Sequence, residues 1–503
     1  MMSPSGFDAA AERAARYETN RRLFFGVYPS IMLPMFLASV DQTIVATALT
    51  TIAGQMGDVE RISWVVISYL IASTIAAPVY GRLGDAIGRK RLMFVALGVF
   101  IVASLLCAAA TSVVGLTAAR LLQGFGGGGL MTLTQALIGE AVPPRERVRF
   151  QGYLATIYVT ANTFGPVAGG YLTQHFGWQS VFLINLPLGI IAVGLVTRIP
   201  PRPAGGGGGA RFDIAGVVLF AAVIAPLLLA LEQVQHVDLR ALPSVLFFLA
   251  VAVGALFLLL RQERRAKAPL LPLSLLRQPA IWRCNCLAAC VGAILLSLIT
   301  FLPIYLVVVR HASPGQTGLL LLPLTACIAL GSICTGQLVA RTGRTAIMPS
   351  LGFILVLGML SVITFAAPHL SDTALSCLFG LTSIGLGTAM PVVNVTVQTI
   401  GGAKHLGSAA ASVQFSRSVG SALGTALVGV VLFASLTLTD GTTAALFRDL
   451  VERGGVVLTG LSAARQTMVQ TEIADAFRAA FATVDVFAVL GLVLAWSIPT
   501  RRL

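Results

Sequence analysis

The stretch Gly81-Arg82-Leu83-Gly84-Asp85-Ala86-Ile87-Gly88-Arg89-Lys90-Arg91 decides the fold. It is a short basic turn punctuated by glycine, with long apolar segments on both sides. Glycines let two helix ends approach closely. Arginines and lysine hold such a turn on the cytoplasmic side of a membrane. Asp85 is costly at a membrane boundary unless it has a partner. Outward from this turn, apolar segments recur from end to end, each near the roughly 20 residues that cross a bilayer. Fourteen spans are expected, at 24–52, 62–82, 92–111, 114–139, 149–174, 178–198, 212–232, 241–260, 284–308, 316–339, 346–367, 373–398, 405–436 and 478–499. The fold class is therefore an all-α polytopic membrane protein, embedded in a lipid bilayer.

Composition agrees. Of 503 residues, 56% are hydrophobic and 11% charged, with mean hydropathy +0.88. That is too little charge to cover a water-soluble surface. The net charge of +14 is not gathered on one face or motif, so no nucleic-acid partner is expected. Its distribution carries the topology. With both ends inside, 25 of the 34 basic residues fall in cytoplasmic segments, and seven (Arg61, Arg240, Arg310, Arg448, Arg453, Arg465, Arg478) in outer ones. This bias places both termini in the cytoplasm. The first 22 residues lack an apolar core and a small-residue cleavage site, so no removable signal peptide is expected. Seven cysteines lie within or at the ends of apolar spans. Cys284, Cys286 and Cys290 have helical spacing and no nearby His or acidic ligand, which makes them apolar fillers rather than a metal site.

The chain contains a weak copy of itself. Gly81-x-Leu83-x-x-x-x-Gly88-Arg89 recurs as Gly336-x-Leu338-x-x-x-x-Gly343-Arg344, 255 residues later, and Gly165-x-x-x-Gly169 recurs at the same offset as Gly420-x-x-x-Gly424. Gly124-x-Gly126 finds Gly385-x-Gly387 at 261. Three coincidences in order indicate two homologous six-span halves. The expected organisation is a cytoplasmic segment 1–23, a six-helix bundle 24–198, and a linker 199–283 with two inserted spans. A second bundle, 284–499, includes an outer segment 437–477, and a tail 500–503 follows. Gly205 to Gly209 read as a tether. The inserted pair has few polar residues and reads as peripheral packing. The outer segment suggests amphipathic helical pieces around Gly454-Gly455.

Polar residues inside the spans carry the chemistry. Asp41, in Ser39-Val40-Asp41-Gln42-Thr43-Ile44-Val45, lies deep in the first span. An ionised carboxylate is expensive there and proton uptake relieves the cost, so Asp41 reads as a proton-coupling site. The alternative is an acid paired permanently with a base. Arg120, in Arg120-Leu121-Leu122-Gln123-Gly124, keeps its proton and stands as a fixed positive charge near Asp41 if the two helices adjoin. Its alternative is snorkelling to the outer interface. Gly124 to Gly129 formally contain G-x-G-x-x-G, but no strand precedes them, and small residues for tight helix contact account for them better. Gly165, Pro166, Gly169 and Gly170 make the fifth span bent and slender. Arg417 sits about 19 Å into the thirteenth span by helical rise, so it lines a wet cavity or has a partner. Gln414 lies beside it, and Asn394 and Gln398 face an interior from the twelfth span. Tyr158, Asn162, Phe301 and Tyr305 complete the set of cavity residues expected from polarity and spacing. Asp485, near the outer end of the last span, is a gate acid or an interfacial one.

These runs together resemble the major facilitator superfamily. Gly81 to Arg91 resemble its loop signature between the second and third spans. The Asp41 run resembles the first-span motif of drug:proton antiporters, and Arg120 to Gly124 their buried-arginine motif. Gly165 to Gly170 resemble the antiporter-specific motif. Trp178-Gln179-Ser180-Val181-Phe182-Leu183-Ile184-Asn185-Leu186-Pro187-Leu188-Gly189 resembles a sixth-span signature of fourteen-span members, read here as structural. The resemblance, to the fourteen-span drug:proton antiporter family, covers essentially the whole chain. It implies two six-helix bundles and a cytoplasmic latch of Gly81, Asp85, Gly88 and Arg89. Asp85 would meet a helix N-terminus at about Gly402 to Leu406. Ala86 stands where the family usually has a base, and Ala340 replaces the acid in the second copy. The function implied is proton-coupled export of small amphipathic compounds from a bacterial inner membrane, not enzymatic. The proton gradient would be the energy source, with no cofactor and no metal, and a monomer is expected. Export of one endogenous metabolite or lipid is the nearest alternative, and a non-transporting membrane sensor the alternative of another class. A periplasmic adaptor on the outer segment stays open.

Overall fold

In the computed structural model the described residues are 4–56, 61–142, 144–199, 213–235, 242–266, 269–270, 273–440, 442–444, 446–447, 450 and 462–499. The tether Gly205 to Gly209, the pair Gly454-Gly455 and the tail 500–503 lie outside them. Among the described residues the fold is all-helical, without a β-strand. The helices are α1 (Pro4–Met56), α2 (Trp64–Ile87), α3 (Arg89–Ala108), α4 (Val113–Ala141), α5 (Pro144–Phe176), α6 (Ser180–Leu183), α7 (Asn185–Val196), α8 (Ile214–Gln235), α9 (Leu242–Arg265), α10 (Leu273–Leu276), α11 (Pro279–Val308), α12 (Pro314–Thr342), α13 (Ile347–Ala366), α14 (Asp372–Gly387), α15 (Ala389–Gly401), α16 (Leu406–Thr439) and α17 (Ala463–Ser497).

A helix or a broken helix pair lies at each of the fourteen expected positions, but eleven of the described helices are long and apolar enough to cross a membrane. The other three are α4, α5 and the α6–α7 pair. Helices α4 and α5 have 29 and 33 residues, ample in length, yet are diluted by Gly, Gln, Asn and Arg. The sixth expected span breaks at Ile184. Two other boundaries move. The helix of the last expected span starts at Ala463 rather than 478, because Ser462 caps it by accepting from the Arg465 N–H (3.4 Å). Asp485 is therefore mid-helix rather than near an outer end. The helix of the first span begins at Pro4, in an Ala/Arg/Glu-rich stretch of high helix propensity.

Contacts divide the chain into two compact units. Unit 1 comprises 1–147, 160–210 and the short segment 402–407; unit 2 comprises 148–159, 211–401 and 408–503. In unit 1, α4 is central and packs on α1, α2 and α3, while α7 packs on α1 and α3. In unit 2, α12 packs on α14, and α13 and α11 both pack on α17. The inserted helices α8 and α9 pair with each other, and Phe220 of α8 meets Phe415 of α16 at 5.1 Å between ring centres.

Small residues set these contacts, since lipid gives helices no hydrophobic drive to associate. A Cβ on Gly128 would come within 2.7 Å of the Ser73 Cα on α2, and one on Gly126 within 2.8 Å of the Phe100 N on α3. Unit 2 repeats this. Gly387 lies against Ile328 and Ser332 on α12, and Gly385 against Gly352 and Val356 on α13. Gly126 and Gly128 thus correspond to Gly385 and Gly387, two residues away from the pairing that sequence spacing suggests. Gly165 and Gly169 of α5 rest on Thr43, Ile44 and Thr47 of α1, while Gly420 and Gly424 of α16 rest on Ala289 and Ala293 of α11. Both copies of the loop motif turn on a glycine with positive φ, Gly88 (99°) and Gly343 (68°), where a side chain would be strained.

Candidate functional site

Five helices of unit 1 bring polar side chains together around Asp41. Helix α1 supplies Asp41, α2 Tyr69, α3 Ser104 and Cys107, α4 Arg120 and Gln123, and α7 its first residue, Asn185. Asp41 is 0% exposed and Arg120 1%. They form an ion pair through Arg120 Nη1 and Asp41 Oδ2. Two amides complete the carboxylate's shell: Gln123 Nε2 donates to Oδ1 at 2.8 Å and Asn185 Nδ2 to the same oxygen at 2.9 Å. Arg120 also donates to Gln123 Oε1 (2.8 Å) and, from Nε, to the Val65 carbonyl (3.2 Å), and its guanidinium lies 4.3 Å from the Tyr69 ring centre. Ser104 Oγ anchors the amides, accepting from Gln123 at 2.9 Å and Asn185 at 3.3 Å.

Every group facing Asp41 is a donor, so the arrangement suits an ionised carboxylate. A proton on Asp41 would leave Arg120 as a buried positive charge with neutral partners only, and would present an O–H to amides now oriented as donors. A neutral Asp41 would therefore require the cluster to rearrange. Arg120 does not snorkel.

Residue type makes Gln123 and Asn185 hard to pick out from sequence. Both lie in runs quoted above, Gln123 one turn after Arg120 and Asn185 in the run read as structural. The readable signal was a side-chain amide within an apolar span.

The antiporter-like glycines lie close by. Thr43, two residues after Asp41, donates to the Val40 carbonyl (3.0 Å) and across to the Ala161 carbonyl of α5 (3.2 Å). Gly165 and Gly169 give α5 the slenderness to sit there, whereas Pro166 and Gly170 face outward.

A second cluster sits at the loop motif. Asp85 accepts from the backbone N–H of Gly407 (2.8 Å), a residue whose segment belongs to unit 1 by its contacts, and from Arg89 Nη2 (2.7 Å). Arg89 also pairs with Glu140 at the end of α4 (2.5 Å). Gly407 touches the Gly81 carbonyl, leaving no room for a side chain. Gly407 is the second residue of α16.

The expected cavity residues divide. In unit 2, Arg417 lies 5.5 Å from the Tyr158 ring centre and donates to Gln414 Oε1 (3.1 Å). Asn394 donates to Gln151 (3.5 Å), a partner absent from the sequence reading, and Gln398 is buried. Asn162 is half-buried in unit 1. Phe301 and Tyr305 belong instead to the apolar core of unit 2, where Tyr305 packs edge-on to Phe477 and Phe481 at 5.4 and 5.5 Å. Their spacing placed them on an interior face, and packing against α17 fills that face. Asp485 accepts from Thr364 Oγ1 at 2.8 Å. Outside the spans, Arg465 donates to Asp440 (2.5 Å) and Thr442 N–H adds a bond (2.9 Å), which together bring the Asp440 carboxyl down to about 2.

The chain belongs to the Major Facilitator Superfamily, whose family profile matches residues 31–425. It is similar to an MFS-type transporter of Mycobacterium tuberculosis, 33% identical over 416 residues, 80% of this chain and 59% of that relative's length. It is also similar to the multidrug transporter protein MdtP of Bacillus subtilis, 30% identical over 407 residues, 80% of this chain and 74% of MdtP. Among solved structures, the human organic anion transporter MFSD10 superposes with a TM-score of 0.63, covering 95% of this chain and 99% of that one. At 14% identity this likeness is one of fold.

Proposed function

We propose that this protein is a multidrug:proton antiporter of a bacterial inner membrane, exporting small amphipathic compounds by alternating access. One observation carries the reading: the fully buried Asp41–Arg120 pair, whose hydrogen-bond shell fits only one protonation state of Asp41. A proton entering from outside discharges Asp41, leaves Arg120 with the neutral Gln123, Val65 carbonyl and Tyr69 alone, and biases the conformational equilibrium. Loss of the proton to the cytoplasm restores the pair. Asp85 on the N–H of Gly407, with Arg89 bridging Asp85 and Glu140, is the cytoplasmic latch. Tyr158, Asn394, Gln398, Gln414 and Arg417, all of unit 2, contact cargo. Similarity to the multidrug transporter MdtP supports the multidrug reading, and the basic-residue bias supports fourteen spans with both termini cytoplasmic.

Acids within the spans are few, and Arg417 adds positive charge, so neutral or monocationic amphiphiles are preferred over dications. The test is proton release from purified protein in weakly buffered detergent on adding ethidium, compared with a divalent quaternary ammonium compound of matched size. Release with ethidium that disappears in Asp41→Asn supports the reading. No release from wild-type protein at saturating ethidium, or unchanged release from Asp41→Asn, would overturn it.

A further inference from the structure

Unit 2 carries a recess among exposed apolar side chains, apart from the polar residues described above. A cavity of about 360 Å³ opens between the start of α13 and the end of α17, lined by Arg344, Ile347, Ser350, Leu351, Ile354 and Trp496. The two helices run antiparallel, so the N-terminus of α13 and the C-terminus of α17 share this end. Arg344 is exposed and forms no ion pair with any described residue. No side chain caps the N-terminus of α13, where N-cap Ala346 offers none. The first-turn amides and the Arg344 guanidinium thus give the mouth a positive potential, and no acidic side chain is among the described residues that line it. Ser350 is occupied by its own helix, donating to the Ala346 carbonyl at 2.8 Å.

Below the mouth the lining turns apolar. Ile347, Leu351 and Ile354 lie on one exposed face of α13. Trp496, 61% exposed at the far end of α17, stands where an indole sits at a headgroup boundary. At this same end Arg283 donates to the Ser497 carbonyl and so closes the α17 C-terminus against other donors.

We propose that this recess is a binding site for an anionic membrane phospholipid, its phosphate on Arg344 and the α13 N-terminus and one acyl chain along Leu351 and Ile354. Charge complementarity commits the site to an anionic headgroup, and the apolar channel commits it to a lipid rather than a free phosphate. An ordinary lipid coat would need neither the recess nor an unpaired arginine at its mouth.

The experiment is native mass spectrometry of the full chain released from detergent, after equilibration with phosphatidylglycerol or phosphatidylcholine of identical chains. The expected result is one phosphatidylglycerol retained in preference to phosphatidylcholine. Arg344→Gln should lower its retention roughly five-fold, from about 1 kcal/mol per arginine. Arg341→Gln, exposed in the last turn of α12 and outside the cavity, should not. Leu351→Trp, filling the channel, should lower retention of both lipids, and glycerol phosphate should not compete. Equal retention of the two lipids, or an Arg344→Gln variant that keeps phosphatidylglycerol like the wild type, would reduce the site to ordinary lipid coating and overturn the proposal.

Discussion

Replacing Asp41 by Asn tests the coupling reading most directly, and the structure says the effect will have two parts. The first is energetic. Arg120 is 1% exposed and Asp41 is its anionic partner, so the substitution leaves a buried guanidinium facing neutral groups. Breaking a buried pair from one side costs about 3–5 kcal/mol. The amide makes matters worse, since Gln123 and Asn185 both donate to the oxygen that becomes part of it, and Gln123 is also tied to Ser104. Flipping either amide breaks those ties, at about 1–3 kcal/mol for each donor left unmet. Asp41→Asn should therefore melt clearly below wild type. The second part is functional: no titratable group remains to take the proton. The double variant Asp41→Asn/Arg120→Gln separates the two, because removing both charges restores most of the stability while coupling stays lost. The assay is ethidium accumulation in proteoliposomes under an imposed pH gradient, beside thermal melting of each variant. Gradient-driven accumulation by the double variant at the wild-type rate would refute the assignment. A single variant as stable as wild type would refute the energetic reasoning.

Gly128→Ala forces a Cβ against the Ser73 backbone and should cost about 1–3 kcal/mol, read as a lower melting temperature. Gly170→Ala meets nothing within 4 Å and should gain about 0.5–1 kcal/mol; equal effects would show that α4 does not pack as described. Asp85→Asn weakens the tie to the α16 N-terminus by about 0.3–1 kcal/mol, so amide exchange at Gly407 should rise roughly two- to five-fold, with an unchanged rate counting against the contact. Because Arg465 and the Thr442 N–H hold Asp440 down to about 2, the tie between them should persist from neutral pH to below the usual carboxylate range and fail only as pH falls through about 2. A carboxyl NMR titration of Asp440 with its midpoint near 3.9 would show the pair is not kept.

Charge in an apolar span is loud in a sequence, and what it announces is cost. Asp41, Arg120 and Arg417 were legible for that reason, since an ion in lipid demands an explanation. The loop motif was legible because its glycines serve backbone conformation, which is local: Gly88 and Gly343 need positive φ whatever lies around them. Helix positions followed from apolar length, and failed where that rule is weakest. The first turns of α17 are polar, so they read as amphipathic helical pieces of the outer segment rather than as part of the last span, and α4 and α5 are diluted by the residues that let them pack. The partners of the charged groups were not legible. Gln123, Ser104 and Asn185 are neutral, cheap enough in a span to pass as filler, and converge on Asp41 only because α3, α4 and α7 meet α1 at one depth. Glu140 on Arg89 and Gln151 on Asn394 have the same origin. Spacing put Phe301 and Tyr305 on an interior face, and only the packing of α17 decided that this face is filled. The sequence by itself determined the helical membrane fold, its twofold repeat and the identity of the costly charges, because these depend on hydropathy and backbone geometry along the chain. Which neutral groups satisfy those charges, and which interior faces stay open, depend on distances between helices, and only the tertiary structure decided them.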